Sequence, residues 1–504
     1  MNTSSAKGNQ SNTYQALWVG IASFNSFALA IVSAAILSRF LDKTEYGTYR
    51  QIIYVYNTLL IIFAAGLPSV FNYFLPRYSR AQGKEIVFNI SKVLFYAGLV
   101  FSVFLFASSG LIANLLKNPE LSKGLKYFSP VPMLLLPTLG VDGIFTTYRK
   151  TVYVAIYSTL TRVLMLVFIV LPVILFTRNY IYAIYGWIVS SFLILILAYY
   201  FKGLPFKGVK GEKSDLKFKE ILNYSIPLVF ASFGGILFRA SNQFYISRYY
   251  GSEVFAEFSN GFIEIPFVHM ITGATAAVLM PIFSKAVHDK AEISKITTLF
   301  RSALSKSVVL IYPIVIYMLF FSPEIITIVF SESYSVSAKY FSAAIIINFF
   351  NVIVFAPLLL SMGKTRFYAW LQYGKAIAIW GVQYAAIVIF DSPMSIAISY
   401  VVISVVAIFV PLAYVAKLFK ISLLELFPLG RIAAISLHAF LSMFLVNLLI
   451  RYVIPDTHRL LMVVLAGLTY GGVLLLSARL FKINYWEIIS PLLNRKKTQS
   501  NSNG

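Results

Sequence analysis

The sequence contains no cysteine among its 504 residues, so it can form no disulfide and offers no thiolate as a metal ligand or nucleophile. Charged residues make up only 12% of the chain, whereas soluble proteins carry roughly 25%. Histidine is also scarce, and the spacing of the four histidines predicts no metal site. They stand at His269, His288, His438 and His458. So little charge excludes a soluble globular protein and indicates a membrane protein.

Apolar residues are abundant instead and make up 59% of the chain. A helix needs roughly 20 apolar residues to cross a hydrocarbon core about 30 Å thick. The apolar stretches predict about fourteen such helices and no sizeable soluble domain. Their approximate limits are 16–38, 52–73, 93–113, 127–147, 154–176, 181–201, 224–246, 259–283, 302–321, 341–361, 369–390, 395–416, 432–450 and 460–478. The predicted fold is therefore an all-α integral membrane protein.

Positive charge is distributed asymmetrically over the predicted loops. The formal net charge is +23, and most Lys and Arg residues fall in cytoplasmic segments when the N-terminus is placed in the cytoplasm. We therefore expect both termini in the cytoplasm, including the basic tail around Arg495. No cleavage signal follows the first apolar stretch, so that stretch is predicted to be a retained span. The charge excess sets orientation, and nucleic acid is not an expected partner.

A lysine-rich stretch at 202–222 divides the predicted spans into groups. Its six lysines are Lys202, Lys207, Lys210, Lys213, Lys217 and Lys219. We predict a solvated cytoplasmic linker that also touches anionic headgroups, with a specific regulatory site as the alternative. The predicted organisation is an N-terminal six-helix lobe over 1–201, the linker, a second six-helix lobe over 223–420, and a final helix pair with a cytoplasmic tail over 421–504.

Short internal matches relate the two lobes. Residues 38–41 (Ser-Arg-Phe-Leu) align without a gap on residues 247–250 (Ser-Arg-Tyr-Tyr), and both segments end the first span of a lobe. Residues 127–129 (Tyr-Phe-Ser) match residues 340–342 at a similar offset. Matches that recur in order after six spans predict two lobes of the same orientation, related by a pseudo-twofold axis along the membrane normal.

The segment from Ser38 to Gly47, together with Pro76 to Arg80 at the end of the second span, resembles the opening of polysaccharide transporters. These are the O-antigen and exopolysaccharide flippases of the multidrug/oligosaccharidyl-lipid/polysaccharide exporter superfamily. The resemblance implies a V-shaped pair of lobes that carries an undecaprenyl-pyrophosphate-linked oligosaccharide across the bacterial cytoplasmic membrane by alternating access. It also implies a groove for the lipid tail in the last helix pair, and a role in O-antigen, capsule or exopolysaccharide synthesis.

The resemblance further implies a transporter and not an enzyme. Its expected partners are a lipid-linked oligosaccharide and membrane lipids, with a glycan polymerase as a further candidate; no cofactor is expected, and coupling to protons or sodium stays open. One alternative is another exporter of the superfamily, for a lipid-linked peptidoglycan precursor or for drugs and cations. The other is a membrane enzyme, which would usually need a large outer loop or a cluster of histidines and acids, and the sequence shows neither.

Few ionisable residues fall inside the predicted spans, where a charge at mid-bilayer costs about 2.5 to 3.5 kcal/mol on insertion scales. The candidate substrate-binding residues are the cations Arg162, Arg239, Lys306 and Lys375. The candidates for gating or ion coupling are Asp142, Glu264 and His269. Because the cations outnumber the acids, the spans predict a positively charged site for an anionic group such as pyrophosphate.

Structural roles are the alternative for several of these residues. Lys306 lies early in its span and has the length to snorkel to the interface. Asp142 is a candidate counter-ion for Arg162, and Glu264 for Arg239. Both His269 and His438 also fit packed, hydrogen-bonded histidines.

The internal repeat singles out one pair of cations. The offset between 127–129 and 340–342 places Arg162 on Lys375 and Asp142 on Phe355. Both lobes thus carry a cation at matching depth, while the acid occurs in the first lobe alone. We expect Arg162 and Lys375 to face each other across a central cavity and to hold the substrate pyrophosphate.

Overall fold

The computed structural model describes residues 12–453 and 458–485, and the basic tail lies outside them. Within these ranges the chain forms α-helices and short 3-10 turns and no β-strand. The predicted all-α membrane fold is thereby confirmed. The contacts divide the chain into two compact units, Met1–Ser259 and Asn260–Gly504.

Unit 1 (Met1–Ser259) contains ten helices in its described part, of which the tenth ends just beyond the boundary. They are α1 Asn12–Phe40, α2 Lys43–Phe63, α3 Leu67–Phe74, α4 Arg80–Leu115, α5 Glu120–Phe128, α6 Val131–Leu135, α7 Val141–Thr147, α8 Thr151–Leu175, α9 Tyr180–Gly203 and α10 Phe218–Gly261. Three-residue 3-10 turns at Leu75–Arg77, Leu136–Thr138 and Leu204–Phe206 extend the chain between them. Gly251, with a φ of 79°, breaks α10 near its end.

Unit 2 (Asn260–Gly504) contains the remaining helices of the described chain. They are α11 Pro266–His288, α12 Ile293–Phe320, α13 Ser322–Phe330, α14 Ser337–Ile346, α15 Asn348–Asn351, α16 Ala356–Ser361, α17 Thr365–Phe390, α18 Pro393–Phe419, α19 Leu429–Val453 and α20 Arg459–Ser477. Further 3-10 turns lie at Glu332–Tyr334, Leu423–Leu426 and Ala478–Phe481.

Twelve described helices are long and apolar enough to cross a membrane, and the bent pair Lys43–Phe63 and Leu67–Arg77, at 44°, makes a thirteenth. The count of about fourteen is not confirmed. The difference is the stretch 341–361, which the structure divides into the short helices α14 to α16. Asn348 turns its amide back onto the carbonyls of Ala344 and Ile345, and such a side chain competes with helical hydrogen bonds.

The centre of unit 1 is built around two broken helices. Gly66, with a φ of 67°, separates α2 from α3, and Gly140, with a φ of 86°, precedes α7. A Cβ atom at Gly140 would lie 2.2 Å from the ring of Phe71, so α3 packs onto the α7 break at a point where only glycine fits. The surrounding apolar cluster includes Phe71, Leu94 and Phe206.

The lysine-rich segment is attached to unit 1 and is not a free loop. Its first lysine, Lys202, belongs to α9 and is only 3% exposed, so its assignment to a solvated linker is wrong. Further along, the Ser214 amide donates to Glu85 Oε2 at 2.6 Å, and Lys84 Nζ donates to the Val209 carbonyl at 2.9 Å. The segment therefore docks along the first turns of α4.

The same docking brings an acid of the segment to Tyr78. Partial burial of the phenol, followed by the nearby Asp215 carboxylate that accepts its hydrogen bond, raises the pKa of Tyr78. The segment thus contacts the rest of unit 1 through side chains as well as through its backbone.

In unit 2 the last helix pair packs against α12 and α13. Tyr317 of α12 donates to the Val463 carbonyl of α20 at 2.6 Å, and Arg451 of α19 pairs with Glu324 of α13 at 3.1 Å. His438 is fully buried, with Nδ1 3.0 Å from the Tyr485 hydroxyl and Nε2 2.8 Å from Ser477 Oγ. The packed role considered for His438 is confirmed.

Candidate functional site

A polar cavity of about 240 Å³ opens in unit 1 between α2 and α10. Two arginines, Arg50 of α2 and Arg239 of α10, line it. The other lining residues are Ile53, Tyr54, Asn57, Thr58, Ile61, Ile236, Ala240 and Gln243. The lining is therefore cationic, with amide and hydroxyl groups beside the charges and no carboxylate.

Helical spacing places these residues on two facing surfaces. On α2 the lining residues recur every three or four positions from Arg50 to Ile61, and on α10 they do so from Ile236 to Gln243. The helix α2 begins early enough to include Arg50 because Asp42 caps it, its carboxylate accepting a hydrogen bond from the Glu45 amide at 2.8 Å. Arg50 therefore lies on a regular helix.

Direct hydrogen bonds hold α2 against α10 around the cavity. Gln51 Nε2 donates to Ser247 Oγ at 2.7 Å in a buried contact, and the Tyr54 hydroxyl donates to the Ala240 carbonyl at 3.1 Å. Lys43 Nζ lies 2.5 Å from a Glu257 carboxylate oxygen. The buried contact between Gln51 and Ser247 fixes the helix register, because separating it would leave polar groups without partners.

The two arginines of the cavity keep most of their hydrogen-bonding capacity. Arg50 Nη2 donates to the Ser259 carbonyl at 3.2 Å, and a guanidinium carries five N–H donors. Arg239 is exposed to the cavity, and the described residues give it no ion pair. Two like charges in one cavity repel each other, and an anion bound between them would remove that repulsion.

The structure places one predicted substrate residue, Arg239, in this cavity and puts Arg162 elsewhere in unit 1. Arg162 is exposed on α8, where its Nη1 lies 3.9 Å from Met165 Sδ and its charge interacts with the Tyr56 hydroxyl of α2. Asp142 is exposed on α7 and interacts with Tyr157. The described part of the chain shows no ion pair between Asp142 and Arg162, and the pairing considered for them stays a prediction.

The remaining predicted residues belong to unit 2. Lys306 is exposed on α12, and Lys375 is half-buried on α17. Glu264 Oε2 lies 3.2 Å from His269 Nε2, so these two gating candidates form one exposed pair. The proposed pairing of Arg239 with Glu264 stays a prediction.

Sequence reasoning missed two cations of unit 1. Arg50 falls two residues before the predicted span 52–73, so the apolar pattern alone places it in a loop. Asp42 followed three residues later by Glu45 is a sequence pattern typical of a helix N-terminus, and it indicates that the helix starts earlier. Lys202 was missed because it stands at the edge of a lysine-rich stretch, although the apolar run continues through it to Pro205.

Solved transporters share this fold. The lipid II flippase MurJ in an inward closed conformation matches with a TM-score of 0.69 and 15% identity, over 92% of this chain and 99% of that chain. An inward-facing multidrug resistance MATE family transporter of the MOP superfamily gives 0.60 and 13%, over 78% and 94%. A MOP superfamily transporter from Pyrococcus furiosus, described as having a binding pocket of reverse polarity, gives 0.59 and 13%, over 83% and 99%.

A search of curated proteins by sequence found no match. The family comparison is more specific, because a family model described as polysaccharide biosynthesis protein matches residues 36–339. This match covers more than half of the chain, including α2 and α10 with the cationic cavity. This family match shows that the chain belongs to the polysaccharide biosynthesis protein family.

Proposed function

We propose that this protein is a flippase that translocates a polyprenyl-pyrophosphate-linked oligosaccharide across the cytoplasmic membrane, for O-antigen, capsule or exopolysaccharide synthesis. The observation that carries the proposal is the cavity with Arg50 and Arg239 and no carboxylate in its lining. Family membership supports a glycan substrate, and the charge of the cavity supports an anionic linkage in it.

The cavity offers suitable contacts to the pyrophosphate and to the first sugar of such a substrate. The two guanidinium groups bind the pyrophosphate oxygens through charge-assisted hydrogen bonds, which are worth about 1.5 to 3 kcal/mol each. Asn57, Thr58 and Gln243 stand next to the arginines and can bond the hydroxyl groups of the first sugar. A bidentate fork on each arginine would also fix the orientation of the linkage.

Transport proceeds by alternating access in this proposal. The headgroup enters from the cytoplasmic leaflet, the arginines replace its hydration, and a conformational change then exposes the cavity to the other side. Arg162 and Lys375, which the repeat relates, are proposed to form a second cationic station for the same pyrophosphate. The exposed pair of Glu264 and His269 is proposed to act in gating.

The test is binding of undecaprenyl pyrophosphate to the purified protein, with glycan export in cells as a second readout. Arg50→Gln and Arg239→Gln should each weaken binding about ten- to a hundredfold, as the loss of one charge-assisted contact predicts. Arg50→Lys should retain part of the affinity, because it keeps the charge and loses the fork.

Arg178→Gln is the matched control, since Arg178 is exposed between α8 and α9 and lies outside the cavity lining. It should bind like the unaltered protein. If Arg50→Gln and Arg239→Gln bind undecaprenyl pyrophosphate normally, at normal protein levels, the cavity does not bind the substrate.

A flippase for the lipid-linked peptidoglycan precursor is the second candidate, because its headgroup linkage is also an anionic pyrophosphate and the same cavity would suit it. An exporter of organic cations is disfavoured, because a lining of two arginines repels a cation. Deleting the gene separates the two anionic substrates. Arrested cell-wall growth would favour the precursor, and loss of a surface glycan with accumulation of its lipid-linked repeat would favour the proposal.

A further inference from the structure

A buried lysine lies at the point where the two broken helices of unit 1 meet. Lys202 ends α9 and is 3% exposed. Its Nζ donates to the Pro137 carbonyl at 2.7 Å and to Ser91 Oγ at 3.0 Å, and it lies 5.3 Å from the centroid of the Phe71 ring. The three contacts come from the 3-10 turn after α6, from α4 and from α3.

The neighbours of this lysine are all uncharged. Burying an ammonium costs several kcal/mol unless a counter-charge is near, and within the described ranges no acidic group interacts with Lys202. Pro137 supplies a carbonyl from a helix break, and Ser91 supplies a hydroxyl that can donate or accept. The two oxygen partners are sufficient for a neutral amine, and the charged form gains in addition only a cation–π contact with the Phe71 ring.

The ionisable groups on the elements packed against Lys202 have other partners or point away. Arg80 of α4 donates to the Pro205 carbonyl, and Lys92 of α4 is exposed. Asp142 of α7 interacts with Tyr157 of α8. On α3 the titratable residue is Tyr73, whose ring is stacked on another tyrosine and on an arginine.

The position of Lys202 couples its charge to the helix breaks. Gly66 and Gly140 hold the two breaks in left-handed backbone conformations, and Phe71 of the apolar cluster lies against Nζ of the buried lysine. A rearrangement of either break would move the Pro137 carbonyl or the Phe71 ring away from Nζ. The stability of the charged form therefore depends on the conformation of this region.

We propose that Lys202 is a proton-binding site whose protonation is coupled to the conformation of unit 1. In one conformation Nζ takes a proton from water and forms a new N–H bond. In the other, the ammonium returns that proton to water and the electron pair stays on nitrogen. The inference goes beyond the proposed function and does not depend on it.

The chain contains no cysteine, so a single introduced cysteine can serve as a reporter. Protons are the only ligand that the experiment varies. A Ser69→Cys reporter is placed on the exposed face of α3, and its labelling rate with a maleimide is measured in lipid nanodiscs from pH 5.5 to 9.5. The rate is divided by that of the same reporter in a Lys202→Met background. This ratio cancels the ionisation of the thiol itself.

The ratio should change at least threefold across the pH range and should change equally in the matched variant Lys207→Met, which removes an exposed lysine. Lys202→Arg, which is permanently charged, should abolish the pH response. If Lys202→Met does not fold, the permanently charged Lys202→Arg replaces it as the background, and Ser91→Ala provides the test, because removal of one Nζ partner should shift the midpoint by half a pH unit or more. A ratio that is constant with pH, or an unshifted midpoint in Ser91→Ala, would overturn the proposal.

Failure here is distinguishable from failure of the proposed function. Arg50→Gln should lose undecaprenyl pyrophosphate binding and keep the pH response of the reporter. Lys202→Arg should lose the pH response, which is measured relative to Lys202→Met, and keep the binding. Loss of both properties in either variant would overturn the assignment of a separate proton site.

Discussion

At the scale of single residues, the cations of unit 1 differ in what surrounds them. Arg50 and Arg239 open into a polar cavity, whereas Lys202 is enclosed by uncharged groups. Position in the sequence does not separate these environments, since all three residues stand in or next to apolar stretches. The first environment suits an anionic ligand and the second suits a group that changes its own charge.

Gly140 is a single residue on which the packing of α3 against α7 depends. Gly140→Ala should lower the thermal stability of the detergent-solubilised protein by clearly more than Gly208→Ala. Both glycines have a positive φ, 86° and 77°, which costs an alanine about 1 to 2 kcal/mol. Only at Gly140 does the new Cβ also meet the Phe71 ring, whereas Gly208 has open space. Equal losses of stability in the two variants would show that α3 and α7 do not approach each other this closely.

At the scale of elements, the main result is that the lysine-rich segment is docked along α4 by Glu85 and Lys84. An apolar helix pair connected by a charged stretch predicts a solvated loop, and nothing local in the sequence indicates the docking. The positive charges remain exposed on the outer side of the segment, where Lys207, Lys210 and Lys213 stand. Docking and headgroup contact are therefore compatible.

Glu85→Ala should make this segment about three- to tenfold more sensitive to trypsin, which cleaves after its lysines. The loss of one hydrogen bond to a charged group, worth about 1.5 to 3 kcal/mol at full strength, loosens the segment. Glu212→Ala is the charge-matched control, because only the backbone amide of Glu212 is bonded, to the Ala81 carbonyl. Cleavage rates that are the same in both variants would mean that the Glu85 contact does not hold the segment.

The spans could be predicted from the sequence, whereas most of the cavity could not, because the two depend on different properties of the chain. Hydropathy is a local property, so the apolar runs at 154–176 and 395–416 correspond to the continuous helices α8 and α18. The cavity depends on which helix faces are brought together, and Arg50 and Arg239 are far apart in the chain. Arg239 was found because it lies within an apolar run, while Arg50 and Lys202 lay at the edges of runs. The roles predicted for Arg162 and Lys375 stay predictions.

At the scale of the whole molecule, the number of membrane crossings before a helix decides the orientation of that helix. The stretch 341–361 is broken, and irregular backbone is tolerated at membrane depth only where protein covers it. Val352 and Ile353, which lie in the break between α15 and α16, are 1% and 7% exposed. Unit 2 therefore covers the break, and we expect this stretch to cross the membrane despite its interruption.

Single cysteines in this cysteine-free chain test the crossing directly, with a membrane-impermeant maleimide applied to bacterial cells before and after permeabilisation. Arg178→Cys should label in intact cells, and Lys213→Cys should label only after permeabilisation, as the positive-inside rule predicts. These two exposed positions are references for Arg366→Cys, which is exposed in the first turn of α17, just after the broken stretch. If 341–361 crosses, Arg366→Cys should behave like Lys213→Cys. Labelling in intact cells would instead place the start of α17 outside and reverse the orientation of α17 to α20.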